Sequence, residues 1–202
     1  MARIGPNAIL RLVEALDERY GRALTAAVFR AAGQSEFLEV LPDALVDERA
    51  ITALYTSLPS QLGSAEAAEV SARAGLLTGE YLLANRIPRP AQRVMKLMPA
   101  ALAARTLLTA VDRHSWTFAG SGIFEREQVE RAGGGGRSRV YWRLQIRDCP
   151  ICRGVRGDMP QCAYYAATFE RNFRAVVATS ARVTETECQA QGAPACVFEV
   201  SW

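Results

Sequence analysis

The hydrophobic period of this chain changes once, near residue 112, and no other feature restricts its fold as much. Upstream, apolar residues recur at helical spacing. Ile9, Leu10, Leu12, Val13 and Leu16 form one stripe, and Ala23 to Ala32 is rich in strong helix formers. A loop is expected around Gly33 to Pro42. Asp47 can cap a helix carrying Ile51, Leu54, Tyr55 and Leu58, which should stop near Pro59. Ser64 can cap the next, with Glu66 meeting the helix dipole. Pro88 and Pro90 end it near Arg86, because a residue before proline is pushed out of the helical region. A last helix should run from about Ala91 to Val111, kinked at Pro99.

Downstream the period becomes two. Trp116, Phe118, Gly120, Gly122 and Phe124 fit an extended segment, and Val140, Trp142, Leu144 and Ile146 alternate with Tyr141, Arg143, Gln145 and Arg147. Gly133 to Gly136 between them suits a hairpin loop; a phosphate cradle would need a strand-to-helix setting and a following Lys-Ser/Thr. Met159 to Ala178 reads as a further helix, striped by Tyr164, Tyr165, Phe169, Phe173 and Val176. Strands at about Thr179 to Glu187 and Ala195 to Trp202 close the chain around Gly192-Ala193-Pro194. The expected class is α+β. N-terminal helices (1–112) pack on an antiparallel sheet of about four strands, and the second half (113–202) carries one long helix.

With 202 residues, half of them hydrophobic, the chain can bury one core, or one core with a helical extension. Net charge is +3, and Lys96 is the only lysine among arginines scattered from Arg3 to Arg182. Scattered arginines mark solvated helix faces rather than a phosphate track, so no nucleic-acid partner is expected. The start has no apolar core followed by a small-residue cleavage site, and Leu97 to Val111 is interrupted by Arg105 and too short to span a bilayer. Five cysteines, an odd number without export signals, point to reduced thiols or metal ligands and a cytoplasmic location. The apolar stretch Ala91 to Val111 suits either a homodimer interface or a peripheral membrane contact, and composition does not choose.

The cysteines gather late. Cys149 and Cys152 form Cys-Pro-Ile-Cys, Cys162 follows, and Glu185, Cys188 and Cys196 surround a polar turn from Gln189 to Ala195. Thiolates with a carboxylate suit a tetrahedral zinc ion, whereas small thiols in an apolar core are the plain alternative. The Cys-x-x-Cys could also be a redox pair, but it lacks the strand-to-helix setting such pairs use. His114, the single histidine, begins an aromatic segment with Trp116 and Phe118 two and four residues on.

Two stretches, Arg113-His114-Ser115-Trp116-Thr117-Phe118-Ala119-Gly120-Ser121-Gly122 and Cys149-Pro150-Ile151-Cys152-Arg153-Gly154, resemble the bacteriochlorophyll 4-vinyl reductase family. The end, Glu185 to Gly192 with Cys196-Val197-Phe198-Glu199-Val200, is similar to the small-molecule-binding domain named after that family. Phenol-sensing domains of bacterial regulators belong to the wider superfamily, which also resembles vesicle-tethering subunits. The domain covers about residues 120–202, and the Arg86-Ile87-Pro88 stretch and the tract before His114 extend the likeness over most of the chain.

The resemblance implies specific residues. Zinc-bearing relatives use a Cys early in the long helix, a Glu three residues before a Cys, and a Cys eight residues later; Cys162, Glu185, Cys188 and Cys196 match. Four protein ligands leave no open position, so such a zinc would be structural. A rival set would use Cys149 and Cys152 with two of the others. A His and a Trp at what look like the positions of His114 and Trp142 hold the aromatic ligand in phenol-sensing relatives. The expected pocket is therefore His114 with Trp116, Phe118, Tyr141, Trp142, Tyr164 and Tyr165 as walls. A neutral imidazole could ligate a central magnesium ion, and Arg113 or Arg143 could meet a propionate.

The family name implies reduction of the 8-vinyl group (4-vinyl in the older numbering) of a divinyl protochlorophyllide or chlorophyllide. Such a step needs a hydride from NADPH, flavin or a ferredoxin relay. No Gly-x-Gly-x-x-Gly follows a strand, so the residues agree better with a carrier of the magnesium tetrapyrrole that presents it to the biosynthetic enzymes. The reductase itself and a sensor or assembly subunit are the alternatives.

Overall fold

The computed structural model describes residues 2–132 and 138–202, so the expected four-glycine loop lies outside the described residues. The chain begins with β1 (Arg3–Ile4), α1 (Asn7–Tyr20), α2 (Arg22–Ala31), the short α3 (Glu36–Glu39) and β2 (Val46–Asp47). It continues through α4 (Glu48–Leu62), α5 (Ser64–Asn85), α6 (Arg89–Leu97), α7 (Ala100–Arg113) and the single turn α8 (Trp116–Ala119). The second half is β3 (Ile123–Ala132), β4 (Ser138–Arg147), α9 (Ala163–Val176), β5 (Arg182–Glu187), a 3₁₀ turn (Gln189–Gln191) and β6 (Cys196–Ser201). The α+β class expected from the period change is the one observed.

Four antiparallel strands lie in the order β3-β4-β6-β5, and β1 pairs separately with β2. Register puts Leu144 opposite Phe198, Ile146 opposite Cys196 and Trp142 opposite Val200. Side chains of paired residues share a face, so a single face of β4 and β6 carries Trp142, Leu144, Ile146, Cys196, Phe198 and Val200. On that face Phe198 meets the Phe169 and Tyr165 rings of α9 at centroid distances of 5.8 and 6.3 Å. Behind α9 lies α5, and α1 and α4 pack on α5. The crossing of α5 and α9 is close. A Cβ on Gly75 would overlap the Tyr164 carbonyl, one on Gly79 would come within 2.7 Å of the Arg171 Cβ, and the Thr168 hydroxyl donates to the Gly75 carbonyl at 3.0 Å.

Several boundaries differ from expectation for local reasons. Asp47 does cap α4, accepting from the Arg49 N–H at 2.9 Å. The helix nevertheless runs through Pro59 to Leu62, because a proline near the end removes one hydrogen bond and the remaining turn closes before Gly63, at φ 81°. Gly63, not Ser64, occupies the cap of α5. Pro99 does more than kink the segment from Ala91: the extended Met98 separates two helices, and Pro90 sits in the first turn of α6, where no N–H is needed. Trp116 and Phe118 lie in a helical turn rather than a strand, with the Ala119 N–H donating to the Ser115 carbonyl at 2.7 Å.

Candidate functional site

The cysteines converge where three elements meet. Cys162 caps α9, Cys196 opens β6, and Cys188 follows the irregular register at the end of β5, where Glu185 and Glu187 pair with adjacent residues. Cys149 and Cys152 lie on the turn after β4, entered through Asp148 at φ 52°, a conformation that Asp tolerates better than most residues. All five thiols are buried and none is in a disulfide. Sγ–Sγ distances are 3.5 Å for Cys149–Cys162, 3.3 Å for Cys152–Cys196, 3.5 Å for Cys162–Cys196 and 3.9 Å for Cys188–Cys196.

These spacings fit a metal. At a zinc–sulfur bond of about 2.3 Å the edge of a tetrahedron is about 3.8 Å. Two four-ligand groups are complete, Cys149/Cys152/Cys162/Cys196 and Cys162/Glu185/Cys188/Cys196, each with its ligand atoms within 4.8 Å of one another. Glu185 Oε2 accepts from the Cys162 N–H at 2.9 Å, but the buried Oε1 has no hydrogen-bond partner among the described residues. Backbone N–H groups of Gln161 and Gln189 approach the Cys188 and Cys196 sulfurs at 3.4 Å. Burial, then the neighbouring Cys188 sulfur, pushes the Glu185 carboxyl up to about 9, and burial pushes the Cys162 thiol well up. A divalent cation would reverse both by pairing with the deprotonated forms. Closed four-ligand coordination has no position for substrate, so the chemistry available here is structural.

The expected pocket residues are not gathered at one place. Phe118 and Tyr165 join Phe124 and Phe169 in a ring cluster, and the Tyr165 hydroxyl donates to the Phe118 carbonyl at 2.8 Å. Tyr164 lies 5.4 Å from Tyr165 by ring centroid but reaches the other way, to the Thr78 hydroxyl at 3.0 Å. Burial pushes its phenol up to about 12. Trp142 is buried on the helix-covered face of β4, and Tyr141, one residue earlier, points to the opposite face. His114 is exposed at the end of α7, with Nδ1 2.8 Å from the Ala110 carbonyl, and Trp116 is 53% exposed. Donation from Nδ1 to that carbonyl fixes the proton there and leaves a lone pair on Nε2.

A groove of about 760 Å³ lies between α7 and the first two strands of the main sheet, lined by Arg105, Thr109, Asp112, Phe124, Arg126 and Trp142 with neighbouring strand residues. Arg126 is oriented by Asp112 at 3.5 Å and by the Thr109 hydroxyl at 3.4 Å. Of its lining, only Trp142 is a pocket residue expected from sequence. Arg105, Thr109 and Asp112 share a helical face at spacings of four and three, but no motif marks that face as facing the sheet. Sequence reasoning also misses the buried Glu48, which accepts from the Ser121 N–H at 2.8 Å, the Ser121 hydroxyl at 2.6 Å and Arg153 at 2.8 Å. It joins the start of α4 to the turn before β3 and to the Cys-x-x-Cys segment.

A helix-backed antiparallel sheet with a cysteine-rich clasp at the foot of its long helix defines the vinyl-4-reductase type of domain, a small-molecule-binding class whose sequence profile matches residues 142–201. In fold the chain is similar to the phenol-responsive sensory domain of the transcription activator PoxR, solved with phenol: the TM-score is 0.54 at 16% identity, covering 78% of this chain and 75% of that one. It is 40% identical to the bacteriochlorophyll synthase 23 kDa chain of Cereibacter sphaeroides, over 98% of this chain and 90% of the relative. The corresponding Rhodobacter capsulatus chain is 36% identical, over 97% and 85%. The protein belongs to the family of bacteriochlorophyll synthase 23 kDa chains.

Proposed function

We propose that this protein acts in bacteriochlorophyll biosynthesis by binding a magnesium tetrapyrrole of the divinyl protochlorophyllide or chlorophyllide type and carrying or presenting it for 8-vinyl (4-vinyl) reduction. The groove between α7 and the β3–β4 pair is the observation that carries the reading. Phe124 and Trp142 supply apolar faces for a macrocycle, and Arg105 and Arg126 supply guanidinium groups suited to a propionate carboxylate. The names of the two relatives, as chains of bacteriochlorophyll synthase, support work beside that pathway's enzymes. His114 offers a neutral imidazole with Nε2 unprotonated, a suitable axial ligand for magnesium. Zinc is the metal assigned to the Cys162, Glu185, Cys188 and Cys196 set, where it would pin α9 to the β5–β6 hairpin.

The test is titration of the purified protein with a divinyl magnesium tetrapyrrole, read by absorbance and fluorescence. Saturable one-to-one binding is expected, weakened about tenfold in a double variant Arg105→Ala/Arg126→Ala through loss of charge-assisted contacts. Unchanged affinity in that variant would remove the groove as the pigment site. Unchanged affinity and spectrum in His114→Ala would remove the axial ligand.

We also propose a peripheral membrane contact through α6 and α7. Between Glu80 and Asp112 there is no acidic residue, while Arg89, Arg93, Lys96 and Arg105 are exposed beside Val94, Leu102 and Leu97, the last 88% exposed. A basic helix with protruding apolar side chains suits an anionic lipid surface. Co-sedimentation with anionic vesicles should be lost in Leu97→Asp; equal sedimentation of the variant would dismiss the contact.

A further inference from the structure

The two ligand groups share an edge. Cys162 and Cys196 belong to both, 3.5 Å apart, with Cys149 and Cys152 on one side and Glu185 and Cys188 on the other. We propose that the six residues form a two-metal centre, in which the Cys162 and Cys196 thiolates bridge two zinc-class divalent ions. Cys149 and Cys152 complete the coordination of one ion, and Glu185 and Cys188 that of the other.

Three observations carry this beyond a single zinc. First, Cys149 and Cys152 are as deeply buried as the other three cysteines, and they sit at ligand-edge distance from the shared pair, at 3.5 and 3.3 Å. Cysteines that merely filled a core would not have to meet other sulfurs.

Second, the segment that carries them is fastened to the site rather than draped over it. The Cys149 N–H donates to Gln189 Oε1 at 2.7 Å, and the Gly157 N–H donates to the Ala190 carbonyl at 3.0 Å, both on the connection that follows Cys188. Arg153 grips the Asp148 carboxylate at 2.8 Å and its carbonyl at 2.7 Å, holding the positive-φ residue that turns the chain into the site.

Third, charge favours two ions. Five thiolates and a carboxylate bear six negative charges; one divalent ion leaves four, and two leave two. Around the sulfurs and Glu185 the polar partners are other sulfurs and backbone N–H groups, which orient anions without neutralising them. A buried anionic cluster is held by cations or not at all. Each ion would have four protein donors in the S₄ or S₃O sets that suit zinc.

The inference rests on the zinc reading above and extends it, so the experiment must separate the two. Native mass spectrometry of the full chain should find two zinc ions per molecule. A double variant Cys149→Ser/Cys152→Ser should retain one, and so should Glu185→Gln/Cys188→Ser. One zinc in the unaltered protein, undisturbed by Cys149→Ser/Cys152→Ser, would overturn the two-metal centre while leaving the structural zinc intact. No metal at all would overturn both, and iron with inorganic sulfide would replace both with a different cofactor.

Should the variants fail to fold, cobalt(II) added to the metal-depleted protein still decides the matter. Bridged ions couple magnetically, so the electron paramagnetic resonance intensity should rise to one equivalent and fall towards two. A signal that grows linearly to saturation contradicts the bridge.

Discussion

Glu48 illustrates how one buried residue can organise distant segments. Burial by itself pushes its carboxyl up, but the Ser121 hydroxyl and N–H and the Arg153 guanidinium together outweigh burial and hold it below the usual carboxylate value. A carboxyl lowered in the fold stabilises it above the unfolded value of about 4.3, and that contribution disappears as pH falls through the folded value. Glu48→Gln should therefore cost about 1–3 kcal/mol at pH 7, the usual penalty for breaking a buried charge-assisted network. The gap between wild type and variant should narrow below pH 4, as thermal melts at pH 7 and pH 3.5 would show; a constant gap would contradict the assignment. Such a residue is invisible in sequence. Its partners are 73 and 105 positions away, and a lone Glu after a capping Asp reads as an ordinary first-turn acid. The clasp is legible for the opposite reason: cysteines are few, and the spacing of Glu185, Cys188 and Cys196 matches a family pattern. How Cys149 and Cys152 enter it depends on the turn at Asp148, which no sequence pattern announces.

Among the elements, the crossing of α5 on α9 depends on Gly75 and Gly79, which place bare backbone against Tyr164 and Arg171. In an exposed helix, alanine would gain about 1 kcal/mol over glycine. Gly75→Ala should instead lose about 1–3 kcal/mol, because its Cβ meets a backbone carbonyl that cannot move without displacing α9. Gly79→Ala should lose less, since it meets the side chain of Arg171. Denaturant melts of both variants check the order, and a stabilised Gly75→Ala would refute the close crossing. Helices and strands with strong periodicity are readable from sequence: the stripe of α9, the alternation of β4 and the capped start of α4. Weakly determined ends are not. The Trp116–Ala119 turn shows why. Its two aromatic residues at a spacing of two imitate a strand, but the hydrogen bond from the Ala119 N–H to the Ser115 carbonyl closes a helical turn first.

For the whole molecule, the metal clasp ties the long helix to the closing hairpin, so metal should act as folding free energy. Strong chelation should lower stability by on the order of 4 kcal/mol, the linkage expected when free metal exceeds its dissociation constant about a thousandfold. Calorimetry before and after zinc is restored would read it; an unchanged melting temperature would mean that the cysteines hold the fold as ordinary core. Stability is only the background to the central claim, that this chain binds and presents a pigment rather than reducing it. The direct measurement is incubation of the purified, metal-replete protein with a divinyl magnesium tetrapyrrole and NADPH, followed by chromatography of the pigment. Stoichiometric binding with the vinyl group intact is the expected result. Accumulation of the reduced, monovinyl pigment with turnover of the isolated chain would contradict the account.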